Sequence, residues 1–252
     1  AIPAMIEIDS DNHRSGLLAS DAELIEVGRT LHEGGAELVG VLSHAGESYT
    51  VRGDDEHARF AEIERSAGVN AAQALRAAGL ACPVVSVGST PTAHGARDLT
   101  GVTELRAGVY MFFDLVMEGI DVCTMDDIAL SVLTTVIGHQ RSKGWVMIDA
   151  GWMAMSRDRG TANQQIDQGY GLVCDEAGMV IPDLMVLQAN QEHGVIAVRP
   201  GSNGTMPDLP VGKRLRILPN HACATAAQHQ GYYVVPETEG AALLEWPRFG
   251  GW

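Results

Sequence analysis

The sequence predicts an α/β fold in which a partial (β/α)8 TIM-type barrel, residues 1–105, precedes a β-rich C-terminal domain, residues 106–252. Strand-like and helix-like segments alternate through the first hundred residues, which is the pattern of a parallel sheet with helical crossovers. Beyond that region, strand-like runs are separated by glycine and proline, as in an all-β domain. The 252 residues, 46% of them hydrophobic, suffice for one large domain or two smaller ones.

The first β/α unit combines a buried strand with an amphipathic helix. Residues 4–8 form the predicted strand. The pattern Ser20-Asp21-Ala22-Glu23 is typical of a capping box, in which two side chains bond to backbone amides at the start of a helix. Apolar residues then recur at helical spacing from Leu24 to Leu31, and Gly34-Gly35 ends the helix.

Two more strands and a long helix complete the alternating region. Residues 38–42 and 83–87 are the predicted strands, and residues 54–78 form one long or broken helix between them. The order βαβαβ places the strands parallel, with right-handed crossovers. Each strand is followed by polar residues, and ligands of parallel α/β folds bind at that edge of the sheet.

The rest of the sequence is rich in predicted strands. They cover residues 109–113, 129–137, 145–148, 179–187, 195–198, 215–218 and 232–235. A complete (β/α)8 barrel needs eight units over ~250 residues, whereas three or four units precede residue 104 here. A partial barrel exposes an unpaired sheet edge. We therefore expect either a partner that closes it or a further N-terminal segment.

Charge and cysteine content narrow the class of function. The chain has 32 acidic against 17 basic residues and a net charge of -15, which argues against nucleic acid or an anionic membrane as a partner. No apolar run reaches membrane-spanning length. The four cysteines form no disulfide or CxxC pattern, and the first residues show no signal peptide. We therefore expect a cytoplasmic protein with reduced cysteines.

A histidine and a cysteine two positions apart, His221 and Cys223, mark a candidate metal site. On a strand their side chains would share one face, because side chains alternate with a period of two. Imidazole and thiolate suit zinc better than magnesium or calcium. Pro219 favours a strand end or a loop. The alternative is structural: a small buried cysteine next to a capping histidine.

Six short motifs stand in order along the chain: Ile6-Glu7-Ile8-Asp9, His13-Arg14-Ser15-Gly16, Ser43-His44-Ala45-Gly46, Ser86-Val87-Gly88-Ser89-Thr90-Pro91-Thr92, Glu104-Leu105-Arg106-Ala107-Gly108-Val109-Tyr110 and Pro219-Asn220-His221-Ala222-Cys223. Together they resemble the D-serine dehydratase and D-threonine aldolase family. The resemblance implies an alanine-racemase fold, a pyridoxal 5'-phosphate cofactor and a homodimer.

The same resemblance raises a question about the lysine that forms a Schiff base with the cofactor. In the family it lies on the first barrel strand, which would fall ahead of residue 1. The two lysines of this sequence, Lys143 and Lys213, lie outside the barrel segments. The chain therefore resembles the C-terminal two thirds of such an enzyme.

The resemblance also implies a phosphate site at two strand ends. Ser89, Thr90, Gly108 and the Val109 amide would hold the cofactor phosphate through hydroxyl and backbone donors. The alternative for the first two residues is a plain turn.

Four other residues match positions around the cofactor ring. His44 would stack on the ring, and Arg14 would lie near its phenolic oxygen. Arg106 would face the pyridine nitrogen, and its permanent charge would leave the ring a weaker electron sink. Tyr110 would line the pocket. Each residue also has a structural alternative. His44 would be a histidine at a strand end, and Arg14 would be a salt-bridged arginine in a loop. Arg106 would be solvated or ion-paired, and Tyr110 would pack in the barrel.

His221 and Cys223 match the metal ligands of the family. The His-x-Cys pattern resembles the dehydratases, whereas His-x-Asp with manganese resembles the aldolases, so zinc is predicted with manganese as the alternative. The metal would bind the β-hydroxyl of the substrate and help it leave as hydroxide. Glu192-His193-Gly194 is either a supporting contact for this site or a turn.

Two classes of function remain open. The first is a pyridoxal-phosphate- and metal-dependent lyase for small β-hydroxy-D-amino acids, of the D-serine or 3-hydroxyaspartate dehydratase type. Cleavage of the D-threonine aldolase type is the alternative reaction. The second class is a non-catalytic cofactor- or metal-binding fragment, or one part of a split enzyme, because no lysine occupies the expected position.

Overall fold

The computed structural model describes residues 1–236, 238 and 240–250. Within them the chain forms two compact units. The first contains Ala1–Met111 and Met117–Thr124, and the second contains Phe112–Val116 and the chain from Met125 onward. No helix among the described residues has both the length and the apolar character that crossing a membrane requires.

The first unit is built on a four-stranded parallel sheet. Its strands and helices are β1 (Pro3–Ile8), α1 (Ala22–Glu33), β2 (Glu37–Ser43), α2 (Asp54–Ala77), β3 (Val84–Val87), α3 (Thr90–Gly95) and β4 (Glu104–Leu105), with 3-10 turns at Gly46–Thr50 and Val109–Met111. The strand order is β1-β2-β3-β4, and every neighbouring pair is parallel. The predicted parallel arrangement is therefore confirmed.

Burial of one face of each helix against the sheet stabilises this unit. The fully buried side chains include Leu24 of α1 and Leu75 of α2, which pack with Ile8 and Val85 of the sheet. The sheet is not closed within the described residues. Its membership of a (β/α)8 barrel therefore stays a prediction, as does a domain boundary at residue 105.

Two local predictions for this unit are wrong. Asp21 precedes α1 as its N-cap, but no side-chain capping bond forms there. The Asp21 carboxylate instead accepts a hydrogen bond from the Leu18 amide at 2.9 Å. The predicted strand at residues 109–113 is also absent, because Val109–Met111 is a 3-10 turn and Phe113 has a φ of 51°. A residue at positive φ cannot continue a strand.

The second unit is β-rich, as predicted, and six of its strands close into an antiparallel barrel in the order β10-β5-β6-β9-β8-β7. α4 (Leu115–Gly119) is shared, with its first two residues in the second unit and the others in the first. The remaining elements are β5 (Val132–Gln140), β6 (Trp145–Ile148), α5 (Trp152–Met155), β7 (Leu172–Cys174), β8 (Val180–Ala189), β9 (Gly194–Val198), β10 (Arg214–Leu218), α6 (Ala222–Ala226), β11 (Gly231–Val234) and β12 (Leu244–Pro247), with 3-10 turns at Met125–Asp127 and Arg141–Lys143.

Branched side chains fill the inside of this barrel. Val136, Ile148, Leu184, Ile196 and Leu215 are fully buried in one cluster. Alternation of buried and exposed residues along the strands follows from their period of two. The predicted strand at residues 129–137 begins later, at β5, and the three-residue β7 was too short for the sequence pattern to show.

Candidate cofactor and metal sites

His44 lies directly after β2, at the edge of the sheet where ligands of parallel α/β folds bind. Its Nδ1 is 3.2 Å from the carbonyl oxygen of Gly88, which follows β3. Burial lowers the pKa of His44, and the nearby charges of Arg14 and Arg106 lower it further. The imidazole is therefore neutral at pH 7, and a neutral ring can lie against an aromatic ligand without burying a charge.

The predicted phosphate turn is the capped start of α3. Ser89 is the N-cap, and its side chain and backbone form a capping box with Thr92. The Ser89 hydroxyl also lies 3.0 Å from the Ser48 hydroxyl, so it is already engaged. Thr90 differs: it is 1% exposed, and its Oγ1 has no hydrogen-bond partner among the described residues. A buried hydroxyl without a partner is unfavourable unless a ligand supplies the missing hydrogen bond.

Gly88 allows the ends of β3 and β4 to approach each other. It has a φ of +133°, and a Cβ there would lie 2.0 Å from the carbonyl oxygen of Arg106. The opposite holds at Gly108, where a Cβ would meet no atom within 4 Å. There is therefore open space beside the Gly108 backbone, whereas Val109, the next residue, is buried.

The other sequence-predicted residues have structural partners. Arg106 donates through Nε to the Ser86 hydroxyl at 2.7 Å and through its terminal nitrogen to the Ser43 carbonyl. Arg14 is more than half exposed and pairs with Glu7 at 3.2 Å. The Arg106 Nε also lies 3.9 Å from a Glu104 carboxylate oxygen, so the structure fits an ion-paired Arg106 and a salt-bridged Arg14. The roles of Arg14, Arg106 and the half-exposed Tyr110 toward a cofactor stay predictions.

Sequence reasoning missed Glu64, the buried carboxylate of this region. It lies on α2 and is 1% exposed. Its spacing was a usable signal, because Phe60, Gly68 and Ala71 on the same helix are also buried and recur at three to four residues. An acidic residue in the apolar stripe of a helix indicates a buried polar network.

The candidate metal residues lie where β10 gives way to α6. The strand ends at Leu218, before Pro219, which confirms the prediction of a strand end. His221 is the N-cap of the short helix α6 and Cys223 lies on that helix, so strand alternation does not relate the two side chains. The His221 Nδ1 lies 2.6 Å from an Asp158 carboxylate oxygen. Hydrogen bonds to Asp158 and then to Cys223 raise the pKa of His221 to about 10.

Buried polar contacts fix the loop before His221. The Asn220 side chain accepts a bond from the Thr161 hydroxyl at 2.6 Å and donates to the Gly169 carbonyl at 2.6 Å. The Ala222 amide donates to the buried Asp114 carboxylate at 2.8 Å. Cys223 is exposed and thus accessible to an ion. Asp158 and Asp114 were missed, because they are distant from His221 in sequence and follow no spacing rule.

No group of three or more histidine, cysteine and acidic side chains suited to a metal occurs among the described residues. The atoms that the geometry offers to a metal are the His221 Nε2 and the Cys223 Sγ. With its raised pKa, His221 must lose a proton before Nε2 can bind a metal. Glu192-His193-Gly194 forms the turn between β8 and β9, where the His193 ring faces the Asn190 side chain at 3.4 Å. The turn alternative for this motif fits the structure.

Two family models match the chain. One is described as "Alanine racemase, N-terminal domain" and covers residues 1–116; the other is described as "Putative serine dehydratase domain" and covers residues 129–235. With the parallel sheet and the β barrel, they define the class: a protein of the alanine-racemase fold. The chain belongs to the D-serine dehydratase and D-threonine aldolase family within that class, as the curated relatives show.

The chain is 56% identical to the D-threo-3-hydroxyaspartate dehydratase of Delftia sp. (strain HT23) over 255 residues, which is 100% of this chain and 67% of that protein. It is 30% identical to the D-serine dehydratase of Schizosaccharomyces pombe over 266 residues, covering 98% of this chain and 60% of the relative. The D-threonine aldolase of Arthrobacter sp. is 28% identical over 237 residues, covering 93% and 57%. The chain thus spans about two thirds or less of these relatives.

The solved structure of the Delftia dehydratase superposes with a TM-score of 0.90 at 56% identity, covering 99% of this chain and 66% of that one. Two further structures are of single variants of that enzyme. One has alanine in place of a histidine, and the other has alanine in place of the cysteine two positions later. The cysteine variant is described as the metal-free form.

Proposed function

We propose that the chain carries a pyridoxal-phosphate site in its first unit and a zinc site in its second, and that both serve a lyase for β-hydroxy-D-amino acids. Dehydration of D-threo-3-hydroxyaspartate is the reaction that the 56% identity favours, with D-serine as the next substrate. The observation that carries the proposal is the His221–Cys223 pair with its Asp158 partner, in a chain so similar to that dehydratase.

The residues of the first unit fit the cofactor. The unpartnered Thr90 hydroxyl is a donor for a phosphate oxygen, and the open space beside the Gly108 backbone leaves room for that phosphate. The Gly108 and Val109 amides would donate to it as well. Neutral His44 provides a flat surface for the ring. When bound, the cofactor supplies an electron sink for the α-carbon of the substrate.

The residues of the second unit fit zinc. Asp158 bonds to the Nδ1 of His221 and fixes the ring, the usual arrangement of a histidine that binds zinc. Because the raised pKa of His221 keeps the ring protonated at neutral pH, zinc would bind Nε2 by displacing its proton. Nitrogen and thiolate donors match zinc preferences. Two protein ligands leave positions for water and a substrate hydroxyl, as catalytic sites require. When bound, zinc supplies Lewis-acid assistance for departure of the β-hydroxyl.

Product analysis of the enzyme tests this function. D-threo-3-hydroxyaspartate should yield oxaloacetate and ammonia, since loss of the hydroxyl gives an enamine that hydrolyses. Glycine and glyoxylate would instead identify aldol cleavage. Chelation should stop product formation, and zinc should restore it. Retention of full turnover after chelation would overturn the zinc part of the proposal.

Asp158→Asn is expected to weaken zinc binding by about 10- to 100-fold, the usual cost of losing a carboxylate that orients a metal-ligating histidine. Zinc affinity measured by competition with a chromogenic chelator checks this. Asp175→Asn, at an acid close to β7, is the matched control and should leave affinity unchanged. Equal affinities for Asp158→Asn and the unaltered chain would contradict the proposed role.

Neither lysine is expected to form a Schiff base with pyridoxal phosphate. Lys143 lies over the Trp145 ring, with its Nζ 4.4 Å from the ring centroid, and Lys213 immediately precedes β10. Both belong to the second unit, whereas the proposed cofactor residues lie in the first. Borohydride reduction followed by peptide mapping should find no adduct on either residue. A reduced adduct on Lys143 or Lys213 would show that the cofactor binds elsewhere.

We also propose that the parallel sheet of the first unit is part of a (β/α)8 barrel, which the match to the alanine racemase domain supports. A homodimer and a cytoplasmic location stay predictions. Sedimentation velocity of the enzyme would test the dimer.

A further inference from the structure

Glu64 joins two loops that the proposed cofactor site needs. One carboxylate oxygen accepts a hydrogen bond from the Ala45 amide at 2.9 Å, directly after His44. The other accepts one from the Thr92 hydroxyl at 2.7 Å, in the capped turn that contains Thr90. The Gly88 backbone also bonds to this carboxylate. A single side chain on α2 therefore connects the segment after β2 with the segment after β3.

Because Glu64 is buried, its carboxylate depends on these hydrogen bonds. Burial raises the pKa of the Glu64 carboxyl above its ordinary value, and the bonds from Thr92, Gly88 and Ala45 and the charge of Arg106 offset only part of this rise. A carboxylate that is 1% exposed is unfavourable unless such donors satisfy it. Moving either loop would remove donors from a group that cannot regain water, so the carboxylate restrains both loops.

The bonds of the turn extend this restraint to Thr90. The Thr92 hydroxyl, which donates to Glu64, also accepts from the Ser89 amide at 2.9 Å. Ser89 in turn caps α3, which places the unpartnered Thr90 hydroxyl one residue later. On the other side, the His44 Nδ1 contacts the Gly88 carbonyl at 3.2 Å.

We propose that Glu64 is a positioning residue that holds His44 and the Ser89–Thr92 turn in one arrangement for pyridoxal phosphate. This inference rests on the cofactor site proposed above. Glu64 does not touch the cofactor and acts through Ala45 and Thr92. Without the Glu64 carboxylate, the two segments lose the acceptor that they share. The phosphate-binding groups then no longer keep their position relative to His44.

Equilibrium dialysis of the chain against pyridoxal phosphate, with bound cofactor measured by its own absorbance, tests the inference. Glu64→Gln keeps the size of the side chain and should raise the dissociation constant about tenfold, the effect of one charge-assisted hydrogen bond. Glu62→Gln, at a solvent-exposed acid two residues earlier on α2, is the matched control and should bind as the unaltered chain does. Glu64→Asp keeps the charge but is one methylene shorter, so it should not restore affinity.

A double-mutant cycle separates positioning from a purely structural role. Thr92→Val should also weaken binding, and the double variant should bind no more weakly than Glu64→Gln alone, because the bond between Glu64 and Thr92 is already disturbed in that variant. Additive losses, or Glu64→Gln that binds normally while its melting temperature falls, would overturn the inference. Should Glu64→Gln fail to fold, Glu64→Asp and Thr92→Val provide the same cycle. If the unaltered chain binds no pyridoxal phosphate, the cofactor site and this inference both fail.

Discussion

Cys223→Ala is expected to lose zinc and to abolish turnover of β-hydroxy-D-amino acids. Removing a thiolate from a site with two protein ligands leaves His221 alone, which cannot hold the ion at micromolar concentrations. Loss of a residue that hydrogen-bonds to a metal ligand already costs about 10- to 100-fold in metal affinity. Loss of a ligand itself should therefore cost more than about a hundredfold. Metal analysis after desalting, together with the rate of product formation, measures both effects.

Two other substitutions sharpen this result. Cys123→Ala removes a cysteine of the first unit and should leave the zinc content unchanged. Cys223→Asp should shift preference from zinc toward manganese, because a carboxylate is a harder ligand than a thiolate. Full zinc occupancy and full activity in Cys223→Ala would mean that His221 and Cys223 are structural. The function would then reduce to pyridoxal-phosphate chemistry without a metal.

Thr90→Val is expected to weaken pyridoxal-phosphate binding about tenfold to a hundredfold. The substitution replaces a buried, unpartnered hydroxyl with a methyl group of similar volume, so packing should change little. A hydrogen bond to a charged group is worth about 1.5–3 kcal/mol, which corresponds to that range of affinity. Titration with pyridoxal phosphate, and separately with inorganic phosphate, measures the loss.

The hydroxyl itself can be tested with a conservative variant. Thr90→Ser keeps the oxygen and should bind nearly as well as the unaltered chain. Without ligand, Thr90→Val should be as stable as the parent or slightly more stable, because the unsatisfied buried hydroxyl is gone. Unchanged affinity of Thr90→Val for both ligands would support the plain-turn alternative at Ser89 and Thr90.

The sequence predicted the order and direction of the strands because burial periodicity is local. Alternating helix and strand patterns identified β1, α1, β2, α2 and β3, and the parallel sheet followed from their order. The failed capping box shows the limit of this reasoning. Ser20-Asp21-Ala22-Glu23 has the required residue types, but the Asp21 carboxylate bonds to the Leu18 amide behind it, a competition that the pattern does not encode.

In the candidate sites too, residues close together in sequence could be predicted, whereas their partners from distant parts of the chain could not. His221 and Cys223 stand out because they are two residues apart, and the resemblance to a family gave them a role. Asp158 is 63 residues away from His221, and Glu64 is 28 residues away from Thr92, so neither pairing has a sequence spacing that reveals it. These partners become visible when the fold brings strand ends and helix faces together.

Native mass spectrometry of the chain with pyridoxal phosphate and zinc tests the central claim most directly. The proposed function predicts one pyridoxal phosphate and one zinc ion on the same chain. Thr90→Val should lose the cofactor while keeping zinc, and Cys223→Ala should lose zinc while keeping the cofactor. A chain that binds neither ligand at concentrations well above micromolar, or that loses both through either substitution, would contradict the claim that two separate sites serve this lyase.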